Sequence, residues 1–199
     1  TCGWPIFATP SLETRSTFAN AKSFPYFSLD HVTSVITPYI PKKEFKSKFP
    51  LGNARQETRY SNDAFYAKYS TKQIVGFYLR QAEACWPGVK NFINYALIDN
   101  HDLILEVWQI LPHLVHKMVT PKNRKNLKII FLCKIDTDGI LAGIKANIAK
   151  NDWAVKNTKK EHTFLAIAEM ISYFGKHIKK EAKKFKFDVA NMDFDFKNK

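Results

Sequence analysis

Cysteine, glycine and arginine are all scarce in this chain. Its three cysteines, Cys2, Cys85 and Cys133, stand far apart and form no Cys-x-x-Cys pair. That spacing argues against a four-thiolate zinc site and a disulfide-stapled secreted fold, so reduced thiols and a reducing compartment are expected. A single bridge, Cys2–Cys85 or Cys85–Cys133, stays open. Seven glycines and nine prolines do not make a collagen-like or low-complexity chain. No run of about 18 apolar residues occurs, so no transmembrane segment is predicted. No repeat recurs at about 20–50 residues, which argues against a solenoid. The chain starts at Thr1 rather than methionine, which fits a removed leader or a fragment of a longer protein. Thr1–Pro10 itself has neither the basic start nor the apolar stretch of a signal peptide. There is no Gly-x-Ser-x-Gly, no glycine-rich phosphate loop and no dinucleotide fingerprint, which argues against common hydrolases, kinases and dehydrogenases. No cofactor is predicted.

Positive charge is what the chain has in excess. Lysine and arginine number 31 against 18 acidic residues, a net +13. The excess is uneven: residues 1–116 carry net +3, residues 117–199 net +10. A concentrated basic surface attracts polyanions such as nucleic acid or an acidic protein. Only five of the cations are arginine, so the bidentate forks that read base edges are few. Lysine abundance beside abundant Phe, Ile, Asn and Tyr also fits an AT-rich genome, and lysine solubilises any surface. With 45% hydrophobic and 14% aromatic residues the chain can build a core, unlike a disordered basic tail.

The pattern predicts one α+β domain over residues 1–199. Residues 1–60 are rich in Phe, Pro, Ser and Thr, lack a helical period, and read as an irregular arm with short edge strands, because each proline removes a ladder donor. A loop is expected at Gly52–Asp63. Helices are expected over 70–119. Ser70 and Gln73 form a capping box, Pro87 ends the first helix, and Pro112 kinks or splits the segment Leu103–Met118. Over 127–148 the period changes to two, and Asp136-Thr137-Asp138-Gly139 between two β-prone runs predicts a β-hairpin. A long amphipathic helix is expected over 159–186, capped by Thr158 and Glu161, with Phe164, Ile167, Ala168, Ile171, Phe174, Ile178 and Ala182 on its apolar face. The tail 187–199 alternates and is expected to add a short strand or grip a partner.

Three groups of residues could carry chemistry. Asp136 and Asp138 resemble part of a divalent-metal site, although no further oxygen ligands follow Gly139 and the pair also suits a turn. His113 and His116, three apart, could share a metal or act as a base, with His101, Asp102 or Glu106 completing the set; Cys85 reads as a packed thiol. The third group is the lysine surface: Lys122, Arg124, Lys125 and Lys128, then Lys176, Lys179, Lys180, Lys183, Lys184 and Lys186. The latter six also complement the negative end of the last helix. Phe185, Phe187, Phe194 and Phe196 lie nearby and could stack bases if exposed.

The leading expectation is therefore a non-catalytic basic module that binds nucleic acid or another polyanion through the C-terminal lysines, without sequence-specific readout. One alternative is a metal-dependent phosphodiesterase or nuclease-like enzyme using Asp136, Asp138, His113 and His116; only that reading calls for a divalent metal. The other is a structural subunit of a larger assembly, with the Phe/Pro-rich arm lying across a neighbour.

Overall fold

The computed structural model describes residues 26–28, 30–106, 108–146 and 153–193. In chain order its elements are β1 (Tyr26–Ser28), α1 (Asp30–Ile36), a 3-10 turn (Thr37–Tyr39), α2 (Lys42–Lys48), α3 (Pro50–Glu57), α4 (Asn62–Lys68), α5 (Thr71–Ile98), β2 (Ile104–Glu106), α6 (Pro112–Met118), α7 (Pro121–Arg124), β3 (Ile130–Cys133), α8 (Thr137–Ala146), α9 (Trp153–Lys156), α10 (Glu161–Lys184) and β4 (Asp188–Asn191). The fold is α+β and mostly helical. Its strands form two parallel pairs: β1 with β2, setting Tyr26 opposite Ile104, and β3 with β4, setting Ile130 opposite Asp188.

Prolines open helices here rather than break strands. Pro50, Pro112 and Pro121 each sit in the first turn of α3, α6 and α7, where the missing N–H has no intrahelical partner anyway and φ is already helical. This corrects two expectations. Within the N-terminal arm Tyr26–Ser28 is a short strand of the expected kind, but Asp30–Glu57 is mostly helical rather than irregular, and the loop expected at Gly52–Asp63 is largely α3 and the start of α4. Leu103–Met118 is not a kinked helix; it is β2, a connection and a fresh start at Pro112. Pro87 behaves differently. It lies inside α5, which runs unbroken from its Ser70–Gln73 capping box to Ile98. An interior proline costs about 3 kcal/mol. Buried Ala82 and Cys85 before it and Val89 and Ile93 after it offset that loss, Val89 and Ile93 alone contributing about 1.5–3 kcal/mol each.

The expected hairpin at 127–148 is corrected as well. β3 occupies Ile130–Cys133, but Thr137–Ala146 is α8. Asp136 supplies the reason. Its Oδ1 accepts from the Asp138 amide at 3.3 Å and its Oδ2 from the Gly139 amide at 3.1 Å, and its carbonyl accepts from Ile140 N at 3.0 Å. These are the contacts of a helix N-cap, which satisfy donors the first turn leaves free. The partner of β3 is instead β4, in the tail; Phe194–Lys199 lie outside the described residues.

Helix α10 is the centre of the molecule. It packs on α4, α5, α6, α8 and α9 and on both strands β3 and β4. Ile167, Ala168, Met170, Ile171, Phe174, Ile178 and Ala182 are all buried. Its closest approach is at Gly175, where a Cβ would overlap the carbonyl oxygen of Lys134. Ser172 Oγ donates to the neighbouring Ile135 carbonyl at 2.6 Å, so strand end and helix are joined by both shape and hydrogen bonding.

The start of α10 is capped from a distance. No capping box forms at Thr158 and Glu161; Thr158 Oγ1 instead donates to Ala154 O and accepts from Asn62 Nδ2. Asp63, on α4, takes the role: its carboxylate accepts from the amides of Lys159 and Lys160 and from the Thr163 hydroxyl, at 3.0, 3.2 and 2.6 Å. Burial alone would raise the Asp63 carboxyl. The hydrogen bonds from Thr163, Lys159 and Lys160, with the charge of Lys160, together outweigh it and hold the group below its usual value. A depressed carboxylate contributes stability that is present above its unfolded pKa and lost as pH falls through the folded one. Asp63→Ala should therefore cost about 1 kcal/mol at neutral pH. Its stability should also fall less steeply than wild type on acidification to about pH 3, as read by denaturant melts across that range.

Candidate functional site

The structure separates the groups considered for catalysis. His113, half-buried near the start of α6, is held between two carboxylates: Nδ1 lies 3.1 Å from Glu181 Oε2, and Nε2 lies 3.6 Å from Glu83 Oε1. Its backbone N–H also donates to Glu181 Oε2 at 3.3 Å. His113 thus ties α6 to α10 and to α5, and Glu181 serves a free amide of the α6 N-terminus. His116, one turn on, is exposed and stacks on Phe185, with ring centroids 4.4 Å apart. The two histidines share a helix but not a ligand. Asp136 is occupied by the α8 cap, and Asp138 is exposed in that helix's first turn. Asp193 adds a third carboxylate beside them, its Oδ1 accepting from the amides of Ile135 and Asp136. Of the residues named with the histidines, His101 and Asp102 are exposed while Glu106 is buried in β2. Among the described residues, no three His, Cys, Asp or Glu side chains gather in a way that could hold a metal ion.

Cys85 and Cys133 are separate, buried, free thiols; Cys2 lies outside the described residues. Burial pushes the Cys133 thiol up to about 12 despite Lys179 nearby, and burial likewise raises Cys85. Both remain protonated at neutral pH, which is the opposite of what a nucleophile needs.

The lysines are arranged differently. Lys122, Arg124, Lys125, Lys128, Lys176, Lys180, Lys183, Lys184 and Lys186 are exposed, and Lys179 is half-buried. The ion pairs of lysine among the described residues use Lys48, Lys68 and Lys145; none engages these ten cations. The β3–β4 alignment relates the two lysine segments. Lys128 and Lys186 each stand two residues ahead of the first paired position, Ile130 and Asp188. Lys128 and Lys186 therefore stand at the same end of the sheet, whereas Lys176 and Lys179 lie toward the other, where Gly175 meets Lys134 and Lys179 stands near Cys133. The packing of α6 on α10, through His113–Glu181 and His116–Phe185, brings α6 beside the C-terminal turns of α10. Asp188, exposed, and Glu181, paired with His113, are acidic residues within this region.

Among the described residues, Phe185 and Phe187 of the expected aromatic cluster do not form a stacking platform. Phe187 is buried against Phe131. Phe185 is half-buried, with His116 on its ring and Lys184 Nζ 5.4 Å from its centroid. Phe194 and Phe196 lie outside the described residues. The aromatic that does stand free near the lysines is Tyr173, 45% exposed on α10. Its sequence signal is its position three and seven residues before Lys176 and Lys180, on the polar side of a helix whose apolar side is plain.

No family model matches the chain, and no curated protein or solved structure is similar to it. No helix among the described residues is long and apolar enough to cross a membrane.

Proposed function

We propose that the chain is a non-catalytic, polyanion-binding module that neutralises nucleic acid phosphates with its C-terminal lysine surface. The observation that carries this reading is the set of ten exposed or half-buried cations, from Lys122 to Lys186, none of which shares an ion pair with a carboxylate among the described residues. Unpaired like charges repel one another, and a polyanion relieves that repulsion while releasing its condensed counterions. Lysine supplies point charges without the planar fork that selects a base pair, so affinity should hardly depend on sequence.

Salt titration tests this directly. Each neutralised phosphate adds about 0.9 to the slope of log affinity against log salt on a duplex, and about 0.7 on a single strand. Replacing Lys179, Lys180, Lys183 and Lys184 with glutamine should weaken binding and reduce the slope by up to about 3.6 on a duplex and about 2.8 on a single strand. Two strands of unrelated sequence should bind alike. No detectable binding to any nucleic acid at low salt, or an unchanged slope in the quadruple variant, would overturn the reading.

A further inference from the structure

We infer that Tyr173 is a nucleobase-stacking residue and that the lysine face of α10 takes single-stranded nucleic acid in preference to a duplex; this rests on the polyanion-binding reading above. From His162 onward the exposed residues of α10 fall on one arc. At about 100° per residue, His162, Leu165, Glu169, Tyr173, Lys176, Lys180, Lys183 and Lys184 lie within roughly a third of the helix circumference, and all are exposed. Tyr173 stands at the N-terminal edge of the basic part of that arc. Glu169, one turn earlier, closes it with a negative charge. A phosphate chain laid on the arc is therefore directed from Tyr173 toward the helix C-terminus.

Distances along the helix suit this placement. Lys176, Lys180 and Lys184 follow one another at about 6 Å of axial rise, and Lys176 lies about 4.5 Å beyond Tyr173. That interval is comparable to the phosphate spacing of an extended single strand. Tyr173 is 45% exposed and makes no hydrogen bond, ring stack or cation contact among the described residues, so part of its ring surface faces solvent. A duplex keeps its bases inside, and a ring on a convex helix face meets only sugar and phosphate. A single strand can turn a base onto the ring while its phosphates meet the lysines, the combination used by sequence-tolerant single-strand binders.

The test compares wild type, Tyr173→Ala and Tyr173→Phe on a thymidine oligonucleotide, a DNA hairpin duplex and inorganic polyphosphate, each over a range of salt. Wild type should favour the single strand over the duplex. Tyr173→Ala should weaken single-strand binding about fivefold or more, with the salt slope unchanged and with duplex and polyphosphate binding unaffected. Tyr173→Phe should retain wild-type affinity, since the ring and not the hydroxyl is used. If Tyr173→Ala binds the single strand as wild type does, or if the duplex binds as tightly, the stacking inference fails while polyanion binding stands. If nothing binds at low salt, the underlying reading fails with it.

Discussion

Ile171→Asp should abolish the native fold or lower its stability by about 4 kcal/mol or more. Ile171 is 2% exposed in the middle of α10, among residues that meet helices and strands on several sides. Removing the isoleucine forfeits about 1.5–3 kcal/mol of burial. The aspartate that replaces it must then either stay ionised without water or take up a proton, and each choice adds cost. The informative control is Leu165→Asp on the same helix. Leu165 is 42% exposed, so the same chemical change there should alter stability by only about half a kcal/mol. Denaturant midpoints of the two variants check this, and equal losses would mean that the apolar face of α10 has been misplaced.

A pair of glycine substitutions should change stability in opposite directions. Gly76 and Gly175 both lie inside long helices, α5 and α10, where alanine is intrinsically better than glycine by about 0.5–1 kcal/mol. A Cβ at Gly76 meets nothing within 4 Å, so Gly76→Ala should raise stability by about that amount. At Gly175 the new methyl would run into the Lys134 backbone, which cannot swing aside as a side chain could. Overpacking of that kind costs about 1–3 kcal/mol and exceeds the helix gain. Gly175→Ala should therefore destabilise, and Gly175→Val more so. Thermal melts resolve the signs even where the magnitudes are small. A stabilised Gly175→Ala would show that strand β3 and helix α10 can separate at little cost.

The elements most legible in the sequence were those whose signals are local. The three-and-four spacing from Phe164 to Ala182 marks α10 because a helix with one buried side must repeat that way. The Ser70–Gln73 box marks the start of α5 because donor and acceptor are three residues apart. Misreadings arose where one local pattern serves two structures. Asp136-Thr137-Asp138-Gly139 suits a hairpin turn, yet the same aspartate oxygen that would close a turn caps α8, and Ile140 becomes its first buried contact. Pro50 reads as a strand breaker and Pro112 as a kink or break in a helix, and both are helix openers. Other features depend on residues far away in the chain. Asp63 caps a helix that begins at Glu161, and nothing near Thr158 reveals that its hydroxyl is already engaged by Asn62. The lysine surface is visible as charge excess, but the placing of Lys128 beside Lys186 depends on the alignment of β3 with β4. Tyr173 was readable in principle from its offset to Lys176, although the phenylalanines at 185–196 drew the attention an exposed ring near lysines should have had.

The order in which the chain closes has a kinetic consequence. Both strand pairs join distant segments, Tyr26–Ser28 with Ile104–Glu106 and Ile130–Cys133 with Asp188–Asn191, and the helix that touches most other elements comes near the end of the described residues. Until α10 is available, the apolar sides of α4, α5, α6 and β3 that it covers have no cover from it. A nascent chain that has released α8 but not α10 should thus be sticky, able to recruit holdase chaperones and prone to aggregate if synthesis stalls there. The reliance on long loop closures should also slow refolding relative to a helical bundle with only neighbouring contacts.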